Sequence, residues 1–135
     1  MSTISVQQSQ TRSIAIAASP DVVLDVVDNP HNLPRWAPRF APAVRSDKDT
    51  WVIRRDGEEF NLRVRVDRDH GTVDLLAADQ PTRGAFTRVV PNGQGSEYLF
   101  TLFFPEGTEQ TAVCDQMAIV DDELNAVREL CEHSA

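Results

Sequence analysis

The side chains able to do chemistry in this sequence are scattered rather than gathered in a motif. His70 and Asp74 are separated by Gly71, Thr72 and Val73. A histidine and a carboxylate held within hydrogen-bond reach can do general acid–base work. A turn glycine directly follows this histidine, so the segment reads as a surface turn. The middle of the chain is rich in arginine: Arg35, Arg39, Arg45, Arg54, Arg55, Arg63, Arg65 and Arg68. An inward-facing guanidinium would bind a carboxylate or phenolate through two parallel hydrogen bonds. Arg63 and Arg65 alternate with apolar residues and so read as the outer cover of a sheet, whereas Arg54 lies in WVIRR, which has no clean alternation.

His31, His70 and His133 have no partner at metal-ligand spacing, so no metal site and no cofactor are expected. Cys114 and Cys131 are 17 residues apart. On one helix that is roughly 25 Å, far beyond the ~7 Å limit for a disulfide. Both are expected to be free thiols, buried or half-buried. No arrangement here is a catalytic motif that stands by itself.

The charge is unevenly placed. From Pro105 onward there are eight acids and one base, Arg128; the first 104 residues hold 13 acids and 12 bases. An acidic surface opposes phosphate backbones, which excludes nucleic acid as an expected partner. The charge reads as a solvated face, with a docking surface for a basic partner as the alternative. The chain has no apolar run of membrane-span length. Residues Met1 to Gln10 lack the basic start and apolar block of a secretory leader, so a soluble cytoplasmic protein is expected. A length of 135 residues suits one domain. It is expected over residues 11–135, with 1–10 a flexible lead or the start of the first strand.

The elements that must position these groups follow from periodicity. TRSIAIAA, Thr11 to Ala18, predicts a strand. Ser19-Pro20-Asp21 then starts a helix through Val22, Val23, Val26 and Val27: a cap, a proline suited to the first position, and an acid at the positive end. Asn29-Pro30 repeats the signal for a short helix to about Trp36. From Phe40 onward, turn-forming clusters recur about every ten residues, as successive antiparallel strands require. Asp56-Gly57 is the clearest hairpin turn. In EFNLRVRVDRD, Phe60, Leu62, Val64 and Val66 share one face and Asn61, Arg63, Arg65 and Asp67 the other. Tyr98, Phe100, Leu102 and Phe104 are assigned inward, opposite Glu97, Leu99, Thr101 and Phe103. With Thr108 as cap, a helix runs to Glu132, its stripe formed by Val113, Met117, Val120, Leu124, Val127 and Cys131.

The run IAIAASPDVVLDVVDNPHNLPRWAP resembles the strand and paired helices of the START-like superfamily (SRPBCC), which includes the polyketide cyclase/dehydrase and birch-pollen-allergen-like groups. TRVVPNGQGSEYLFTLFFPEG resembles its last two strands, and MAIVDDELNAVRELCE its closing helix. The resemblance implies an α+β helix-grip fold. That fold has a curved antiparallel sheet of about seven strands, two short helices after the first strand, and a long C-terminal helix packed on the sheet. It also implies a cavity between sheet and helix, which in relatives holds lipids, sterols, polyketides, quinones or plant hormones. Trp36, Phe40, Phe60, Leu62, Tyr98, Phe100, Met117 and Val120 are the residues placed around it here, with Tyr98 able to donate to a carbonyl within it.

Three functions compete. The first is binding of a small hydrophobic molecule, without visible catalysis. The second is a cyclase/aromatase-type enzyme acting in the same cavity. The third is a protein-interaction module or homodimer that uses the acidic helix or a sheet edge, where Leu99 and Phe103 sit on the nominally outer face. Fold alone does not choose among them.

Overall fold

A computed structural model of the protein describes residues 4–133. Its elements are β1 (Gln8–Ile16), α1 (Pro20–Val27), a 3₁₀ turn (Pro30–Asn32), α2 (Leu33–Trp36), β2 (Ala43–Asp47), β3 (Thr50–Arg55), β4 (Glu58–Asp67), β5 (Thr72–Ala77), β6 (Gln80–Asn92), β7 (Gly95–Phe104) and α3 (Gln110–Glu132). The first strand begins at Gln8, within the lead expected over residues 1–10; positions 1–3 of that lead lie outside the described residues.

The seven strands form one antiparallel sheet in the order β1-β7-β6-β5-β4-β3-β2. Neighbours from β2 to β7 are joined by short connections, and β1 closes against the last strand. The β3–β4 hairpin turns at Asp56 and Gly57, with φ of 55° and 79°. Two successive left-handed residues match the right-handed twist of the flanking strands, which is why Asp-Gly is selected there. Pairing slips between Leu76 and Ala77, opposite Gly84. At Gly84 a Cβ would collide with the Leu75 carbonyl oxygen, so this crossing of β5 and β6 requires glycine.

The helical corner forms as its caps dictate. Ser19 Oγ accepts from the Val22 N–H at 3.5 Å, and Asn29 Oδ1 from the His31 N–H at 3.0 Å. Val23, Leu24 and Val27 are the buried face of α1; Val22 points outward, one step away from the expected stripe. Arg68, in the β4–β5 turn, holds α1 from the sheet side by pairing with Asp28 at 2.6 Å and Asp25 at 3.0 Å. These carboxylates, with the Asp28 hydrogen bond foremost, raise the Arg68 pKa further above its ordinary value.

All six residues of the α3 stripe are buried. The helix packs chiefly on β1 and against α1 and α2, and touches β7 less. Its C-terminal end is tied down where Glu132 Oε2 accepts from the Ala17 N–H at 2.8 Å. It begins at Gln110, after Glu109. Thr108 is not its cap: the Thr108 hydroxyl donates to the Pro105 carbonyl at 2.6 Å and belongs to the preceding turn. Cys114 is exposed rather than half-buried, because it follows Val113 onto the solvent side; Cys131 is buried, and both are free. No helix among the described residues is long and apolar enough to cross a membrane.

Candidate functional site

The inner sheet face is largely apolar, with Gln10, Arg12, Thr87 and Ser96 among the polar residues on it, and α3 covers it unevenly. Over β3, β4 and β5 the cover is α2, one turn long, and the Phe40 segment that follows it. A cavity of about 1040 Å³ remains there, at the upper end of the roughly 300–1,000 Å³ range of small-molecule sites. Leu33, Trp36, Ala37 and Phe40 form its helical side; Phe60, Leu62, Leu75, Ala85, Phe100, Leu102 and Phe104 form its sheet side. The Phe40 and Phe60 rings meet at 5.8 Å, and the Arg55 guanidinium lies 5.4 Å from the Phe60 centroid. Arg55, Glu59, Asp79 and Arg83, all exposed, form a charged rim.

Helix α3 contributes Gln116 and Glu123 to this wall. Glu123 is only 7% exposed and makes no hydrogen bond or ion pair among the described residues. Burial, assisted by the charge of Asp122, pushes its carboxyl up to about 7. At neutral pH it therefore exchanges between an acceptor-only carboxylate and a carboxylic acid that also donates. On the helical side Trp36 is 1% exposed, and its Nε1–H meets no acceptor among the described residues.

Five of the eight residues expected around the cavity are brought together by the fold: Trp36, Phe40, Phe60, Leu62 and Phe100. Tyr98, Met117 and Val120 do not line it. They are buried in the solid core, because the α3 stripe lands directly on β1 and β7 and leaves no space there. The Tyr98 hydroxyl has no hydrogen-bond partner of good geometry and lies beside Thr87, whose Oγ1 donates to the Val73 carbonyl. Burial raises the Tyr98 pKa well above its ordinary value. Burial also pushes the Cys131 thiol up to about 11, so it is no nucleophile at neutral pH.

Glu123 was not among the residues expected at the site, having been counted with the solvated acids of the helix. A signal was present: Gln116, Val120, Glu123 and Val127 follow steps of four, three and four, a second inward seam beside the main stripe. The His70–Asp74 pair does not form. His70 Nδ1 meets Asp67 Oδ2 at 2.8 Å, while Asp74 accepts from Arg65 at 2.8 and 3.1 Å. Strand alternation explains this, since Arg65 and Asp74 are register partners on the outer face. Arg63 also faces outward and pairs with Asp49 at 3.5 Å. Among the described residues no cluster of three His, Cys, Asp or Glu side chains could hold a metal.

The family model described as polyketide cyclase/dehydrase and lipid transport matches residues 7–114. The chain belongs to this family. No curated protein matches it. Among solved structures, it is similar to an uncharacterized protein from Bacillus thuringiensis (18% identity, TM-score 0.71, covering 92% of this chain and 98% of that one). It is also similar to the Aha1 dimer from Colwellia psychrerythraea (17%, 0.69, 93% and 96%) and to a START superfamily protein from Mycobacterium smegmatis (10%, 0.66, 94% and 99%). At these identities the likeness is one of fold: an α+β helix-grip with a seven-stranded sheet and a long C-terminal helix. Within this family member, the matched segment includes every cavity wall except Gln116 and Glu123, which lie beyond residue 114.

Proposed function

We propose that the protein binds a small hydrophobic molecule between α2 and the inner face of β3–β7. The observation that carries this reading is the cavity of about 1040 Å³, with Trp36, Phe40, Phe60, Leu62 and Phe100 in its wall. Leaving that apolar surface uncovered forgoes roughly 25 cal/mol for each Å² that an occupant would remove from water. The test is native mass spectrometry of protein taken from cells, with a thermal-shift screen of apolar compounds. A ligand at a hundred times its Kd would stabilise the fold by about 2.7 kcal/mol. Ala85→Trp, which fills the cavity from β6, should abolish both the co-purified mass and the shift. If no apolar compound co-purifies or raises Tm, the reading fails.

A second reading, a cyclase/aromatase-type enzyme in the same cavity, is favoured by Glu123. A carboxyl pushed up to about 7 within an apolar wall has the properties of a general acid–base. It predicts that poly-β-ketone substrates are turned over and that Glu123→Gln stops turnover while leaving binding intact. Binding without turnover would leave only the first reading. A homodimer is the third reading, supported by the edge-to-face pair of Phe86 and Phe103 on the outer sheet face, where Phe103 is 46% exposed. A monomer by light scattering would remove it.

A further inference from the structure

We propose that the chain forms a two-fold homodimer in which the free edge of β1, extended by Ile4 to Gln7, pairs antiparallel with the same edge of a second copy, centred on Gln10. This stands apart from the binding reading and uses neither the cavity nor the Phe86–Phe103 face.

The two edges of the sheet are built differently. Strand β2 spans five residues, follows Pro42 and carries Arg45 and Asp47. Shortness, proline and charge are devices that keep an edge from pairing with another chain. Strand β1 spans nine residues and has β7 on one side only, so the N–H and C=O groups along its other side meet no strand among the described residues. From Ile4 to Ile16 there is no proline, glycine, lysine or acid. The one charge, Arg12, is taken up within its own copy: Asp121 pairs with it at 3.5 Å, and the Gln10 side chain accepts from it at 3.2 Å.

A second observation says what meets this edge. Ile4 and Val6 are 89% and 87% exposed, the most exposed large apolar side chains described. Gln8 lies opposite Phe104, the last residue of β7, so Ile4 to Gln7 run past the end of the neighbouring strand. Their spacing continues the alternation of β1. Its helix-side positions then read, from Ile4 to Ile16, as two apolar residues, three polar ones and two apolar ones, nearly the same in both directions about Gln10. A two-fold interface is self-complementary: where one residue meets another, the second meets the first. Centred on Gln10, the antiparallel pair sets Ile4 opposite Ile16 of the second copy, Val6 opposite Ile14, Gln8 opposite Arg12, and Gln10 opposite itself. Apolar faces apolar and no like charges meet, as cross-strand pairs require. Ile14 is half-buried and so has apolar surface left to cover Val6. Moving the centre by one residue spoils the match: toward the C-terminus Ile14 meets Gln8, and toward the N-terminus Val6 meets Arg12. On the other face the same register sets Ser9 opposite Thr11 and Gln7 opposite Ser13, all uncharged.

The experiment is analytical ultracentrifugation of the full chain over a range of concentrations, with cysteine cross-linking to read the register. The parent should associate to a dimer. Ile4→Ser combined with Val6→Ser should raise the dimer Kd about tenfold or more. Both side chains are exposed in the single chain, so the variant should keep the parent's circular dichroism, which separates lost association from lost folding. For the register, exposed Cys114 is first replaced by serine. In that background Gln10→Cys should oxidise to a covalent dimer, since facing residues of antiparallel strands have Cα atoms about 4.5–5.5 Å apart, within disulfide range. Ser13→Cys should not, because its two copies would be roughly 20 Å apart along the strands. A monomer at every concentration would overturn the proposal. So would a dimer that survives the Ile4 and Val6 changes but dissociates on Phe103→Ser, which would place the interface on the outer sheet face. A cross-link through Ser13→Cys, or none through Gln10→Cys in a dimeric protein, would overturn it as well.

Discussion

The space between the helices and the sheet has two halves that differ in filling although both are lined by the same kind of surface. Over β1 and β7, α3 and α1 press directly on the strands, and Val23, Tyr98, Val120 and Val127 are completely buried at 0% exposure. Over β3, β4 and β5, equally regular alternation presents Phe60, Leu62, Val73 and Leu75 to the inside, yet α2 spans only four residues and a cavity remains. The strands do not make the difference; the cover does. Helix α3 is anchored at Ala17 through Glu132 and at β1 through its stripe, so it cannot also lie across the far strands. A helix about 10–12 Å wide shields about two strands spaced ~4.8 Å apart. The remaining width of a seven-stranded sheet becomes the site.

The sharpest way to break this comparison is to make one truncation in both halves. Leu124 and Leu62 are 2% and 3% exposed, so they differ in surroundings rather than in burial. Leu124→Ala, in the filled half, should cost about 3–5 kcal/mol, the upper part of the range for cavity-forming changes. Leu62→Ala, which enlarges an existing cavity and strands fewer contacts, should cost about 1–3 kcal/mol. Equal losses in urea denaturation would mean that the two halves are packed alike.

Glu123 offers a test of nearly the same size at the boundary between the halves. Its folded-state pKa of about 7 lies above the ordinary value of 4.5. Between those values the folded chain holds a proton that the unfolded chain has released. This contribution to stability is therefore fully present below pH 4.5, falls as pH rises to about 7, and is level above that. The total change is about 3 kcal/mol at 1.36 kcal/mol per pKa unit. Glu123→Gln should remove this slope and be more stable than the parent at pH 8 by about 1–3 kcal/mol, with denaturation midpoints across pH as the measurement. A slope that survives the substitution would show that the carboxyl is solvated and does not belong to the wall.

The smallest effect is expected at the outer tie of the helical corner. Arg68→Ala should destabilise by about 1 kcal/mol, less in high salt, since its partners Asp21, Asp25 and Asp28 are at least partly solvated. A loss of several kcal/mol would mean that α1 depends on this clamp more than on Val23, Leu24 and Val27.

The filled half was largely legible in the sequence and the hollow half only partly. Two successive signals, Ser19-Pro20 and Asn29-Pro30, position the helical corner within a residue or two. The three-four spacing of α3 gives its buried face, whereas of the β4 face expected to be dry only Leu62 is buried, Phe60 and Val64 are half-buried and Val66 is exposed. Periodicity reports which side of an element turns inward, but not which inward residue meets another side chain and which meets space. Hence Met117 and Val120 were expected at the cavity and are found in solid packing. Leu75 and Ala85, equally inward, were overlooked as wall residues. Glu123 was hidden for a further reason: one acid among eight reads as surface charge, and only its place in the second seam of α3 marks it as buried. Phe103, assigned to the outer face by the alternation of its strand, is found there, 46% exposed.

The most direct test of the central claim is to map where an apolar occupant sits by nuclear magnetic resonance of the intact chain titrated with 1-naphthol. The account predicts saturable shifts at Trp36, Phe40, Phe60, Leu62 and Phe100, with Val120, Val127 and Cys131 unmoved. Shifts confined to residues outside the cavity wall, such as Val120, Val127 and Cys131, or no saturable shift at all, would contradict it.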